Sequence, residues 1–447
     1  MSRHYFGTDG IRGRVNESAM TAETALRLAI ATSRIFAGDG GAEVIIGQDT
    51  RNSGQMIEAA LVAGFTSMGV TPVLIGVVPT PAVAMMTRET GAALGLMISA
   101  SHNKADDNGL KLFSPEGTKF PDEIEEAIEL GMRDALDGKY ASPDRVCTAR
   151  TLDGAGDQYV DAVLKTMPDG LSLSGMKVVL DCANGAGSHV GPKALKALGA
   201  NLTVIGNTPD GRNINAGVGS TETDALKAAV LEHHADVGIA LDGDADRVLV
   251  IDETGTEIDG DQIMGLIATE LHQTARLRAG GMVATVMSNM GLAEHLKSLG
   301  LTLARTKVGD RYVGEHMRQH GFNLGGEQSG HIILSDVSTT GDGLLAGLNV
   351  LAVLANSDQP MSKVGHIFDP APQKLVNIRY SGANPLETEA VKNALAESEE
   401  MMGDRGRMVV RKSGTEPLIR VMAEALDAEL MERALAHSVD AVRMASA

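Results

Sequence analysis

Several short stretches of this chain carry residue types whose spacing suits chemistry. Asp242-Gly-Asp-Ala-Asp246 sets three carboxylates at alternate positions straight after an apolar run at 237–241, so an extended turn brings Asp242, Asp244 and Asp246 towards one cation. Every donor is oxygen and no His or Cys lies nearby, which favours Mg²⁺ over zinc. An EF-hand loop needs glycine at its sixth position, where Arg247 stands, although its twelfth position, Glu253, is acidic. A plain acidic turn is the alternative, and it is the poorer one because three unpaired carboxylates repel each other unless a cation sits between them.

A hydroxyl chemistry is suggested at 99–103. The apolar run 93–98 reads as a buried strand that stops at Ser-Ala-Ser-His-Asn, and a strand end is where α/β folds expose reactive side chains on a rigid support. Ser101 is the candidate nucleophile; a Ser/Asn-rich turn is the alternative. Ser413-Gly-Thr415 lies between Arg411, Lys412 and Arg420, a set of hydroxyls, backbone donors and guanidinium forks that suits a small phosphate, without the spacing of a nucleotide-binding P-loop. The loop 325–331 offers Glu327, Ser329 and His331 for vicinal hydroxyls or an amine and for proton transfer. At 6–13, three glycines and Arg12 form either an anion-binding turn or a plain glycine turn. One reaction uses all these parts: phosphoryl transfer on a phosphosugar, with the serine as carrier, the metal neutralising charge, and Lys111 or His331 moving the proton of the attacking or leaving hydroxyl.

These loops need positioning elements, and the sequence supplies them by alternating periods. Helical spacing at 21–36 and 52–68, strands at 43–46, 73–75 and 93–98, and a proline loop at 78–81 make a mostly parallel first unit. An acidic helix at 121–136 reads as a solvated face. A second unit has strands at 177–180, 201–205, 237–241 and 248–251, helices at 157–166 and 224–233, and a long loop at 209–222. A third alternates helices at 262–271, 292–299, 312–320 and 343–354 with strands at 282–287, 302–305 and 332–334. Beyond 368 the order becomes strand, helix, two strands, helix, the pattern of a small α+β domain.

Composition sets the outer bounds. With 447 residues, one core does not suffice and three or four domains are expected. Basic residues number 39 and acidic ones 58, a net charge of −19 that repels nucleic acid and anionic membranes. Two cysteines, the absence of an apolar leader in MSRHYFGTDG and of any long apolar run lead to an expected cytoplasmic location. There is no tryptophan, so bases would find no stacking platform.

Taken together, SASHN at 99–103, DGDADR at 242–247, GEQSGH at 326–331 and RKSGTEP at 411–417 resemble the α-D-phosphohexomutase family, in the family's order and across the whole chain. FGTDGIRG at 6–13, SASHN and Gln328 are similar to the bacterial branch that works on glucosamine phosphate. The resemblance implies three similar mixed-sheet α/β domains and a C-terminal α+β domain in a heart shape around one central cleft. Their expected bounds are 1–150 with the phosphoserine loop, 151–255 with the metal loop, 256–367 with the sugar loop and 368–447 with the phosphate loop. It implies that Ser101 is phosphorylated and that Asp242, Asp244 and Asp246 hold one Mg²⁺ together with a phosphoserine oxygen. Arg12 and Arg247 are then expected near the phosphoserine, and Lys111 and His331 at proton transfer. Glu327 and Ser329 would bind sugar hydroxyls, Lys307 and Gly309 would line the cleft, and Arg411, Ser413, Gly414, Thr415 and Arg420 would hold the non-reacting phosphate. The implied reaction converts glucosamine 6-phosphate to glucosamine 1-phosphate through glucosamine 1,6-bisphosphate as activator and intermediate, feeding UDP-N-acetylglucosamine and peptidoglycan. A phosphosugar is the expected partner, with homodimerisation left open. The alternatives are a phosphomannomutase/phosphoglucomutase or a non-catalytic phosphosugar-binding protein. The loop NINAGVGSTE at 213–222 lacks a cysteine associated with this branch.

Overall fold

Short runs of Val, Ile, Leu and Gly, apolar on both faces, form central strands because helices cover them from either side. Val237–Leu241 and Leu94–Ile98 are buried at every position. The computed structural model describes residues 5–7, 9–17, 19–36, 41–412 and 418–446, and these form four sheets.

The first sheet has seven strands, Phe6–Gly7, Gly10–Arg14, Asp107–Phe113, Leu94–Ile98, Glu43–Gln48, Thr71–Val77 and Arg150–Thr151 in spatial order. It is mixed: the last four strands run parallel, whereas the first three are added antiparallel. Two expectations change here. The glycine-rich stretch at 6–13 is strand rather than turn for most of its length, which puts Arg12 opposite Gly109 in a ladder. The sheet is mixed, as the resemblance implies, whereas the alternating pattern alone reads it as mostly parallel, because the antiparallel strand Asp107–Phe113, polar at one end and carrying Lys111, has no clean period. The proline stretch at 78–81 is also more than a loop. Pro81 sits in the first turn of the helix Thr80–Thr90, where its missing N–H has no intrahelical partner to lose, and Gly91 ends that helix at φ 67°.

The second sheet orders Glu257–Ile258, Val248–Asp252, Val237–Leu241, Lys177–Asp181 and Asn201–Ile205, with the Asp242–Asp246 turn leading from Val237–Leu241 into antiparallel Val248–Asp252. The third orders Thr302–Thr306, Gly281–Thr285, Leu324–Gly326 and Ile332–Leu334. One continuous apolar core runs through all three units, taking in Val83, Tyr159, Leu241, Val248 and Leu345. The last sheet, Gln373–Arg379, Leu418–Ala425 and Gly406–Lys412, packs the helices Glu389–Met402 and Ala428–Ser446 around a separate core that includes Ile378, Val391, Ile419 and Val439. Polar contacts tie it to the third unit: Met290 N–H donates to Glu424 Oε1 at 2.7 Å, and Arg407 Nη1 donates to Val286 O at 2.7 Å.

The acidic helix, observed at Asp122–Arg133, corrects the expectation of a solvated face. Glu125 and Glu129 are buried. Arg311 of the third unit pairs with Asp122 and Glu125, and Glu129 accepts the backbone N–H groups of Tyr5 and Phe6 at 3.0 and 3.2 Å. Its carboxylates therefore bind the first unit to the third and to its own N-terminal strand.

Candidate active site

Ser101 ends the Leu94–Ile98 strand, fully buried, with a left-handed backbone at φ 51°. Its Oγ donates to Asp242 Oδ2 at 2.5 Å, which joins the first unit's serine loop to the second unit's acidic turn. Gly243 lets the two loops meet, since a Cβ there would lie 2.5 Å from the Ser101 carbonyl oxygen.

Asp242, Asp244 and Asp246 are buried, and one oxygen from each lies within 4.8 Å of the others, a grouping able to hold a metal ion. Burial first, and then repulsion from Asp246 and Asp244, pushes the Asp242 carboxyl well above its usual range. That is the strain a cation relieves. Asp244 Oδ1 and Asp246 Oδ1 have no hydrogen-bond partner among the described residues, while Asp244 Oδ2 accepts from Thr80 Oγ1 at 2.6 Å. Oxygen-only donors with open acceptor positions fit a hard divalent cation.

Around these carboxylates stand the cations. Lys111 Nζ donates to Asp244 Oδ2 at 2.7 Å and Asp246 Oδ2 at 2.8 Å. Burial opposes its charge, but Asp244, Asp246 and Asp9 outweigh burial and hold Lys111 well above the ordinary lysine range. Arg12 donates to the Ala100 carbonyl at 3.3 Å and pairs with Asp9; the backbone N–H of Arg247 donates to Asp242 Oδ1 at 3.1 Å, and its guanidinium Nε lies 3.9 Å from Asp246 Oδ1. His331 sets Nδ1 3.6 Å from Asp246 Oδ1 and Nε2 3.2 Å from Asp310 Oδ2. Nε2 is also 3.1 Å from the Gly341 N–H. Accepting from Gly341 requires a bare nitrogen and donating to Asp310 requires a proton, so the contacts belong to two protonation states. Burial disfavours the imidazolium, yet Asp246 and Asp310 prevail and raise His331 to about 10, which selects the protonated form paired with Asp310.

The loop carrying His331 is clamped against the acidic turn. Val248 N–H donates to Gly330 O at 3.0 Å, and a Cβ on Gly330 would lie 2.0 Å from Val248 O. Beside it, Glu327, Gln328, Ser329, Arg411 and Arg420 line a cavity of about 260 Å³ shared with apolar Met287, Val308 and Met422. Gly309 N–H donates to Glu327 Oε1 at 3.0 Å, and Arg411 faces Arg420 across the ladder. Lys307 is exposed, with its ammonium 5.9 Å from the Tyr312 ring centre, and flanks the cavity rather than lining it. Ser413, Gly414 and Thr415 lie outside the described residues.

Three charged residues join the site that spacing did not single out. Lys119 bridges Asp9 and Asp310, and thereby ties the first unit to the third beside His331. Burial would raise the Asp310 carboxyl, but Lys119 and His331 hold it well below the usual range. Asp9 sits inside the 6–13 stretch, where glycine and arginine drew attention first. Lys119 is an isolated lysine in a loop and gave no signal.

The chain matches, in order, the models for phosphoglucomutase/phosphomannomutase alpha/beta/alpha domain I at 3–137, domain II at 157–255, domain III at 259–370 and the C-terminal domain at 375–441. A protein named phosphoglucosamine mutase from Hyphomonas neptunium is 71% identical over 446 residues, covering 100% of this chain and 99% of that protein. One of the same name from Caulobacter vibrioides is 53% identical, with 99% of each covered. Among solved structures, a phosphoglucomutase/phosphomannomutase family protein from Burkholderia thailandensis shares the fold at a TM-score of 0.82 and 22% identity, covering 98% of this chain and 97% of that one. An Aspergillus fumigatus N-acetylphosphoglucosamine mutase, solved with GlcNAc-6P and magnesium, shares it at 0.66 and 19% identity, covering 99% and 96%. With the four domains matched in sequence and relatives this close along the full length, the chain belongs to the phosphoglucomutase/phosphomannomutase family, among its phosphoglucosamine mutases.

Proposed function

We propose that this chain interconverts glucosamine 6-phosphate and glucosamine 1-phosphate by carrying a phosphoryl group on Ser101. The observation that carries the reading is the Ser101 Oγ held at 2.5 Å from Asp242 within the three-carboxylate cluster. A carrier needs a rigidly held hydroxyl, a place for its charge and an adjoining pocket for the sugar.

In the first half-reaction the substrate's 1-hydroxyl oxygen bonds to the phosphorus on Ser101, the P–Oγ bond breaks, the hydroxyl loses its proton and Ser101 Oγ regains one. Glucosamine 1,6-bisphosphate results. After it turns over in the cleft, Ser101 Oγ gives up its proton and bonds to the 6-phosphorus, the P–O6 bond breaks and O6 takes a proton. Glucosamine 1-phosphate leaves and the phosphoserine is restored. Lys111 and His331, both buried beside the acidic turn, are the groups to hold and move these protons. The Arg12 guanidinium, bonded to the Ala100 carbonyl, and the Arg247 guanidinium, beside Asp246, would set positive charge where the transferred group passes.

Asp242, Asp244 and Asp246, joined by an oxygen of the phosphoserine, would hold one Mg²⁺, which when bound neutralises negative charge on the transferring group. Glu327 and Ser329, which line the cavity, are the groups for sugar hydroxyls and the amine, Lys307 and Gly309 would line the cleft beside them, and Arg411 and Arg420 with Ser413, Gly414 and Thr415 would grip the phosphate that does not react. A cytoplasmic role in supplying UDP-N-acetylglucosamine synthesis goes with this reading. No described helix is long and apolar enough to cross a membrane.

The substrate is tested by kcat/KM for glucosamine 6-phosphate, glucose 6-phosphate and mannose 6-phosphate. Glucosamine 6-phosphate is expected to lead by at least about tenfold, because a site built for an amine leaves polar groups unpaired when the amine is missing. A preference for either neutral sugar contradicts the reading.

A further inference from the structure

The carrier role of Ser101 depends on a backbone conformation that residues with a Cβ seldom adopt unless their surroundings impose it. In this chain the constraint traces to the turn after the neighbouring parallel strand, Glu43–Gln48. Arg51 stands there with its side chain fully buried and paired with Asp49.

All five N–H donors of the Arg51 guanidinium have acceptors. Nε donates to Asp49 Oδ2 at 2.8 Å. Nη1 donates to the carbonyls of Lys104 and Asp107, the latter at 3.0 Å. Nη2 donates to the carbonyls of Ser101 at 3.0 Å and Asn103 at 2.7 Å. Four of the five acceptors are thus carbonyls of the one loop that begins at Ser101. Asp49 closes the circuit: it accepts from Ser99 Oγ at 2.6 Å, and that oxygen accepts the Ser101 N–H at 2.9 Å. Both backbone polar groups of Ser101 are therefore fixed through Arg51 and Asp49. From the second unit, Asn215 Nδ2 braces the same carbonyls, at 2.8 Å from Ser101 O and 2.9 Å from Asn103 O.

We propose that Arg51 is a positioning residue for phosphoryl transfer: its guanidinium fork holds the 101–107 loop so that Ser101 keeps its left-handed backbone and its Oγ stays directed at Asp242. It acts through the loop and touches neither sugar nor phosphate. Lysine cannot replace it, because an ammonium offers three donors from a point and cannot span four carbonyls set around a turn. The Asp49 carboxylate fixes the plane of the fork, and Asn215 supplies a weaker second hold on the same two carbonyls.

This inference rests on Ser101 being the phosphoryl carrier, and its test separates the two. Wild-type protein, Arg51→Lys and Asn215→Ala are loaded with a hexose 1,6-bisphosphate, and intact mass gives the fraction carrying a phosphoryl group. Single-turnover transfer to glucosamine 6-phosphate is then followed by quenched flow and expressed per loaded molecule. A residue that only stabilises the fold lowers the loaded fraction and leaves the rate per loaded molecule unchanged. A positioning residue lowers that rate. Misplacement of the oxygen by about 1 Å corresponds to roughly a hundredfold loss, the result expected for Arg51→Lys, with KM within about twofold of wild type. Asn215→Ala, which removes the weaker hold, is expected to lose about tenfold and decides the matter if Arg51→Lys does not fold. A rate per loaded molecule within about twofold of wild type in the variant that folds overturns the proposal. A wild-type protein that accepts no phosphoryl group on Ser101 overturns the carrier reading instead.

Discussion

Replacing Asp261 with asparagine should flatten one component of the pH dependence of stability. Asp261 lies in the first turn of the helix Gly260–Gln273, buried, where its Oδ2 accepts the Asn289 N–H at 2.7 Å. Asn289 in turn exchanges hydrogen bonds with both backbone groups of Ala371, at 3.0 and 2.9 Å, and so holds the segment that leads into the C-terminal domain. Burial, reinforced by the neighbouring Asp259 carboxylate, raises Asp261 from 3.8 to about 7. An acid raised in this way keeps its proton in the native state after the unfolded chain has lost it. Below about pH 4 both states are protonated and the full native stability is present. As pH climbs towards 7 the unfolded state gains from ionisation and the native state does not, so stability is lost at about 1.4 kcal/mol per pH unit, or about 4 kcal/mol across the whole interval. Asparagine keeps the oxygen that accepts from Asn289 and carries no proton to lose. Urea unfolding of wild type and Asp261→Asn at pH 5, 6, 7 and 8 reads the difference. The variant should gain on wild type by about 2 kcal/mol between pH 5 and 7, where the native carboxyl becomes half ionised, and by little above that. A gap that stays constant across the series refutes the assignment of a raised, protonated Asp261.

Two further outcomes concern the site itself. Gly243→Ala places a methyl group 2.5 Å from the Ser101 carbonyl oxygen and 2.7 Å from Asn215 Nδ2, so the serine and acidic loops must separate. Turnover should fall by about a hundredfold while the circular dichroism spectrum is retained, and an active Gly243→Ala enzyme contradicts the close contact. Chelation of divalent metal should abolish turnover, and Mg²⁺ should restore it, because three buried carboxylates without a metal ion repel the phosphoryl group that Ser101 carries beside them. Full activity in a chelated sample, with metal removal verified by elemental analysis, removes Asp242, Asp244 and Asp246 from the role of metal ligands.

The elements with a clean period were legible in the sequence: Val237–Leu241 and the Asp242–Asp246 turn emerge from residue types alone, and so does the strand ending before Ser101. So was the C-terminal order of strand, helix, two strands and helix. What escaped was set by tertiary contacts. Asp107–Phe113 is a strand because Gly10–Arg14 and Leu94–Ile98 flank it, although its polar start breaks the alternation. Glu125 and Glu129 look like a solvated face until Arg311 and the amides of Tyr5 and Phe6 arrive from distant sequence. Arg51, in what reads as a short turn, and Lys119, alone in its loop, draw their roles from partners about 50 and 110 to 191 residues away. Motif spacing located the groups proposed to meet the substrate, whereas the groups that hold them in place depend on packing that no local pattern encodes.

The central claim is that Ser101 is the carrier, and peptide mapping of the phosphorylated protein tests it most directly. Protein incubated with glucosamine 1,6-bisphosphate, digested and sequenced by mass spectrometry should carry a single added phosphoryl group on Ser101. Ser101→Ala should carry none and show no turnover. A phosphoryl group found on another residue, or mutase activity persisting in Ser101→Ala, contradicts the account.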